Sequence, residues 1–152
     1  MRRRGLLLYS EHEPSQAVRD TFLPDRSTYI TQLEMLAAIP VYHAADTWQQ
    51  HGISMAGRRF NHFIDNVGAL SAMVNGYSRS LDIARMVNQF HLQAAAQRMA
   101  IWAEYVPSKA NIADLPSRGS YELLDRLGGR RVGVPVVGID DWMAPLHAWM
   151  GD

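Results

Sequence analysis

Three acids stand at positions from which carboxylates reach ligands. Glu34 lies near the start of an apolar-periodic segment, flanked by Leu33 and Met35. Asp65 closes the strand-like run Phe60-Asn-His-Phe-Ile-Asp65, and Asp114 falls in Asn111-Ile-Ala-Asp114. Strand ends are where α/β folds present ligand-binding groups. Converging carboxylates are the hard oxygen donors that Mg2+ prefers. Two such ions about 4 Å apart activate a water and stabilise a leaving oxygen in phosphodiester hydrolysis. Each acid also has a plainer role open to it. Glu34 could be a solvated helix residue, and Asp65-Asn66 could cap the following helix. Asp114, three residues after Asn111, has near-capping-box spacing. Spacing alone leaves both readings open.

The elements that must carry these acids follow from the hydrophobic period. Gly5–Ser10 and Ala17–Leu23 are short apolar runs around the polar stretch Glu11-His-Glu-Pro-Ser-Gln16, which predicts an antiparallel hairpin. Residues 30–49 repeat apolar side chains at three- and four-residue steps, which predicts a helix bent or split at Pro40. A strand is expected over 60–65, then a helix over 66–75 stopped by Gly76. A longer helix over 79–98, capped by Ser78 or Ser80, has an apolar face of Ile83, Met86, Val87, Phe90 and Ala94. A strand over 100–106 is closed by Pro107, and 108–118 is too proline-interrupted for a long helix. A short helix over 121–127 ends at Gly128-Gly129. Trp142 and Trp149, seven apart, point to a tail helix docking on the body. Strands interleaved with helices indicate a layered α/β domain.

With 152 residues, 47% of them hydrophobic, the chain has enough for one domain. Fifteen basic residues balance fifteen acids, which excludes a basic tail protein and an acidic solvating chain. The absence of cysteine excludes a disulfide framework, a thiolate zinc site and a cysteine nucleophile. It is compatible with a reducing intracellular compartment, cytoplasmic or nuclear. No apolar run approaches the roughly 18 residues of a membrane span, so no membrane partner is expected. Met1–Tyr9 holds too short an apolar stretch for a signal peptide. The charge is uneven: residues 58–118 hold seven basic residues against four acids. Lys109 is the only lysine, so nearly every cation is a guanidinium, which forks onto phosphates. Lys109 and Arg118 flank Asp114 and are phosphate-contact candidates. Arg79, Arg85 and Arg98 could line one side of the long helix. His62 and His91 read as structural or surface histidines, and His12, His43, His51 and His147 form no ligand spacing.

Four segments occur in a telling order: Ile30-Thr-Gln-Leu-Glu-Met-Leu-Ala37, Phe63-Ile-Asp-Asn66, Gly76-Tyr-Ser-Arg79 and Tyr105-Val-Pro-Ser-Lys-Ala-Asn-Ile-Ala-Asp-Leu-Pro-Ser-Arg118. Over about residues 5–125 the chain resembles the ribonuclease H-like domain that follows reverse transcriptase in retroelements, especially the DIRS-like, tyrosine-recombinase kind. The last segment is the most specific part. The resemblance implies a mixed five-stranded sheet flanked by helices. It also implies a two-metal nuclease, using Mg2+ or Mn2+, that cuts the RNA strand of an RNA–DNA hybrid. By position Glu34, Asp65 and Asp114 match three of the family's metal ligands. Asn66, Arg79, Lys109 and Arg118 are the expected nucleic-acid contacts. The expected partners are hybrid or other nucleic acid and the reverse transcriptase domain of the same polyprotein.

One departure stands out. The family carries a further aspartate on its first, central strand, and Gly5–Ser10 contains no acid. That run looks like the family's second strand, so the expectation is an α/β, ribonuclease H-like fold truncated at its N-terminal central strand. Glu11, Glu13, Asp20 and Asp25 are the nearby acids, but they read as loop or hairpin-edge residues. Val132–Val137 could fill the gap, although Pro135 suits a central strand poorly. The expected organisation is a domain over 1–128 and a tail over 129–152, packed on it or partly disordered. Three functions remain: a hydrolase of hybrid RNA, inactive in this form if the missing ligand is decisive; a non-catalytic nucleic-acid-binding or scaffolding module on the same fold; and, less well matched by the wording around Asp114, an integrase-like nuclease.

Overall fold

The structure is a computed structural model that describes residues 5–22 and 29–134. The described chain is a mixed α/β fold with helices around two parallel strand pairs. In order the elements are β1 (Leu8–Tyr9), α1 (Gln16–Arg19), α2 (Ile30–His43), α3 (Ala45–Gln50), β2 (Arg59–Ile64), α4 (Val67–Asn75), α5 (Leu81–Ala96), β3 (Ala100–Tyr105), a 3-10 turn (Ser108–Ala110), α6 (Asp114–Ser117), α7 (Glu122–Arg126) and β4 (Arg130–Arg131).

The α2–α5 pair forms the centre of the core. On α2, Gln32, Met35, Leu36, Ile39 and Tyr42 are buried, a three-and-four-residue stripe. It meets the matching stripe of α5, Ile83, Met86, Val87, Phe90 and Ala94. A buried polar link crosses the seam: Gln32 Nε2 donates to Asp82 Oδ2 at 3.0 Å. The expected helix over 30–49 is two helices, α2 and α3, because the chain turns out of helical geometry at Ala44. The expected split at Pro40 is not there: Pro40 lies inside α2 and the break comes four residues later, where the indole of Trp48 donates to the Val41 carbonyl.

The β2 and β3 strands run parallel, from Arg59 beside Ala100 to Ile64 beside Tyr105. α4 and α5 form the crossover that parallel pairing requires. The inner face of β2 carries Phe60, His62 and Ile64 toward the core. There Tyr42 meets Phe90, Phe60 and His62 at ring separations of 5.1, 6.4 and 5.9 Å. The Tyr42 hydroxyl is hydrogen-bonded to His62 Nδ1 at 2.9 Å, so His62 has a structural partner. At the far side β1 pairs with β4, Leu8 beside Arg130 and Tyr9 beside Arg131. Glu11 clamps that pair, bridged to Arg131 and accepting the Tyr121 hydroxyl at 2.8 Å.

Three expectations are corrected. Residues 17–22 are not the second strand of a hairpin. Ser15 Oγ accepts from Val18 N to cap α1, and Val18 and Phe22, four apart, are both buried; Arg19-Asp20 breaks the strand pattern. The described residues form no five-stranded mixed sheet, only two separate parallel pairs, and no strand joins them. The helix expected over 79–98 spans Leu81–Ala96. Arg79 and Arg98 therefore lie beyond its two ends and cannot share its side with Arg85. Residues 130–134 pack on the body, through β4 and through Val132 and Val134. Asp25, Pro135 and the tail holding Trp142 and Trp149 lie outside the described residues. Among the described residues no helix is long and apolar enough to cross a membrane.

Two outcomes follow from this packing. Arg98 adopts φ 53° just past α5, a left-handed position that glycine occupies without strain. Arg98→Gly should raise stability by about 0.5 kcal/mol in urea denaturation. Burial lowers the pKa of His62 from its usual 6.5. Below 6.5 the unfolded chain takes a proton that the folded chain resists, so stability falls as pH drops through the depressed value. His62→Gln, which keeps a hydrogen-bonding group for Tyr42, should flatten that acid limb in denaturation midpoints measured from pH 7 to pH 5.

Candidate metal centre

Asp65 is the first residue beyond β2, and the ladder there is extended by Val106 N donating to Ile64 O at 3.0 Å. That bond holds the ends of β2 and β3 in step, so the turn after β3 begins beside Asp65. Asn66 turns the chain into α4: its Oδ1 accepts from Ala69 N at 2.9 Å, an N-cap. The same oxygen lies 3.2 Å from the Thr31 hydroxyl of α2. Gly68 permits this approach, because a Cβ there would come within 3.1 Å of Thr31 Oγ1 and 3.2 Å of Asn66 Oδ1. Glu34, one helical turn beyond Thr31, is thereby brought over the end of β2.

The third acid arrives through the turn after β3. Pro107 stops the strand, and Ser108–Ala110 form one 3-10 turn. Asn111 Oδ1 then accepts from Ala113 N at 3.1 Å, and Asp114 N donates to Asn111 O at 3.2 Å. Asp114 begins α6, where the positive end of a helix favours an acid. Pro116 is buried and anchors this short helix.

The three carboxylates converge. One oxygen from each of Glu34, Asp65 and Asp114 lies within 4.8 Å of the others, and all three residues are half-buried. No other such group occurs among the described residues. The electrostatic cost falls on Glu34. Burial, then repulsion from Asp65, then repulsion from Asp114, together with a hydrogen bond of its protonated form to Asp65, raise its pKa from 4.5 to about 7. The donor set suits a hard divalent cation: three oxygens, no sulfur or imidazole, and excess negative charge. Asp114 also holds Arg118, whose guanidinium donates to Oδ2 at 2.8 Å.

The remaining expected residues divide. Arg118 is at the centre. Lys109 is exposed on the 3-10 turn that leads to Asp114, and Arg79 is exposed between α4 and α5; neither has a hydrogen bond or ion pair to the three acids. Asn66 is beside Asp65, with its Oδ1 already engaged in capping. The nearby acids are occupied elsewhere: Glu11 with Arg131 and Tyr121, Glu13 with Arg19, and Asp20 with Gln16. Sequence reasoning misses Thr31 and Gly68, although a glycine in a helical segment is a signal of close approach. No protein-family model, curated protein or solved structure matches the chain.

The raised pKa has a sign that can be checked. Folded Glu34 keeps its proton up to about pH 7, whereas the unfolded chain loses it near 4.5. The contribution to stability is therefore full below 4.5 and is lost as pH rises through 7. Urea midpoints of the metal-free protein should show this fall, and Glu34→Gln should remove it. Mg2+ should raise the midpoint at pH 8 in the parent protein, and at the same concentration by less in Glu34→Gln.

Proposed function

We propose that this chain is a ribonuclease H-like nuclease domain of retroelement origin that hydrolyses the RNA strand of RNA–DNA hybrids with divalent cations. The observation that carries the reading is the meeting of Glu34, Asp65 and Asp114 from three distant segments at the end of β2. It is supported by the order of the motifs that hold them and by the specific segment Tyr105–Arg118.

In this reading Asp65 and Asp114 would hold Mg2+ or Mn2+ most directly, and Glu34 would complete the oxygen set. Bound cations supply an activated water and charge stabilisation for the leaving oxygen. The chain's own contribution is positional. The β2–β3 ladder fixes Asp65, the Asn111 turn fixes Asp114, and the Thr31–Asn66 contact fixes Glu34. A proton on Glu34 competes with a cation, so activity falls as pH drops below about 7. Arg118, paired with Asp114, and Lys109, on the 3-10 turn that leads to Asp114, would receive a backbone phosphate. Asn66, at the start of α4, and Arg79, in the α4–α5 connection, would be further contacts.

One observation favours a second reading. The described residues bring three carboxylates together, without a fourth. A site that holds its cations weakly would leave a module that binds nucleic acid without cutting it, a binding or scaffolding part of a reverse transcriptase polyprotein.

A single assay separates the two. The purified chain is incubated with a labelled RNA–DNA hybrid and Mn2+ or Mg2+, beside Asp65→Asn and Asp114→Asn. The nuclease reading predicts cleavage of the RNA strand that each substitution lowers by about 100-fold or more, roughly 2.7 kcal/mol of transition-state stabilisation. Binding without cleavage selects the module, and neither binding nor cleavage ends both readings.

A further inference from the structure

The β2–β3 sheet has two strands among the described residues, and the free edge of β2 has a definite chemistry. Ala100 N donates to Arg58 O and Val106 N to Ile64 O. In a parallel ladder, backbone groups of alternate residues point to opposite edges. The even positions of β2 therefore serve β3. Arg59, Asn61 and Phe63 direct their N–H and C=O groups to the other side, where no strand lies among the described residues. Natural edge strands are blunted by charged side chains, proline or a bulge. Arg59–Ile64, Arg-Phe-Asn-His-Phe-Ile, has one charge, Arg59, and no proline. The outward face also carries large apolar side chains: Phe63 of β2 is 56% exposed, and Trp102 of β3, beside Asn61, is 69% exposed.

We infer that this edge pairs with the same edge of a second copy, antiparallel about a two-fold axis through Asn61. Pairing across that axis places Asn61 opposite Asn61 and Arg59 opposite Phe63. All three residues have the edge-facing backbone that antiparallel hydrogen-bonded pairs need. The result is a continuous four-stranded sheet in the order β3, β2, β2, β3.

The outward side chains identify the occupant as a second copy. Within one chain Arg59 is beside Ala100, and Phe63 is beside Glu104. Arg59 and Glu104 are thus four strand positions apart, about 13 Å, and form no ion pair. Across the two-fold the row reads Ala100, Arg59, then Phe63 and Glu104 of the second copy. The guanidinium of Arg59 lies over the Phe63 ring and reaches the carboxylate one strand further, about 5 Å on. Two such rows form, one on each side of the Asn61 pair. The edge is thereby complementary to itself in backbone, in apolar area and in charge. In this register Asp65 comes just after the paired residues Arg59–Phe63.

Size-exclusion chromatography with light scattering tests this, with circular dichroism confirming that each variant is folded. The parent chain should show twice the mass of one chain at micromolar concentration and dissociate on dilution. Asn61→Lys sets two like charges opposite each other at the axis, and Arg59→Glu sets a new carboxylate against that of Glu104. Both should weaken the dimer by tenfold or more. The exchange Arg59→Glu with Glu104→Arg should restore it, which no effect within one chain would produce. A parent chain that keeps the mass of one chain at every concentration would overturn the inference. So would a dimer unaltered by Asn61→Lys and Arg59→Glu, or a folded charge-exchange variant that stays dissociated.

Discussion

Carboxylates held within 4.8 Å of one another repel, and much of the described structure serves to keep Glu34, Asp65 and Asp114 in that arrangement. Burial first, and then repulsion from Asp65 and Asp114, push the pKa of Glu34 up to about 7. Left to itself such a cluster would relax by moving a side chain into water. Here three separate restraints oppose that movement. Ladder hydrogen bonds end at Ile64 and Val106, a cap at Asn66 ties α4 to α2, and an asparagine turn delivers Asp114. A polypeptide that gathers like charges in this way is complementary to something positive. Arg118 meets part of that need, and a hard divalent cation would meet the rest.

The core explains why the restraints are firm on one side. The α2 helix is set on α5 by an apolar stripe with Gln32 and Asp82 linked inside it. Glu34 sits between buried Gln32 and Met35 on that helix, so its backbone cannot drift from the end of β2 without opening the core. Asp65 is held by a strand whose inner face packs on Tyr42 and Phe90. Asp114 is different. It rests on a short helix anchored by Pro116 and by local turn bonds, so it is the acid of the three with most freedom to adjust.

Much of this is legible in the sequence, and the reasons are specific. The α5 helix has a strong three-and-four-residue stripe, α4 ends at a glycine in the left-handed region, and β2 and β3 are bounded by Asp65-Asn66 and Pro107. These are local signals, and they place Asp65 and Asp114 at the ends of elements. The hairpin over 5–23 fails because Val18 and Phe22 read as part of an apolar run, whereas Ser15 caps the short helix Gln16–Arg19 that carries Val18, and Phe22 lies in the turn after it. The parallel pairing of β1 with β4 joins residues more than 120 positions apart through two-residue strands. It depends on Glu11, Arg131 and Tyr121 meeting, which no local pattern encodes. The Thr31–Gly68 approach is likewise hidden, since it is a property of two helices and not of either alone.

The account rests on these acids gripping a divalent cation together. Titration with Mn2+, followed by the electron paramagnetic resonance signal of the free ion, tests that directly on the parent protein, Asp65→Asn and Glu34→Gln. The account predicts saturable binding at pH 8 in the parent, lost or greatly weakened in Asp65→Asn and reduced in Glu34→Gln. Equal binding by all three proteins, or none by the parent, would contradict it.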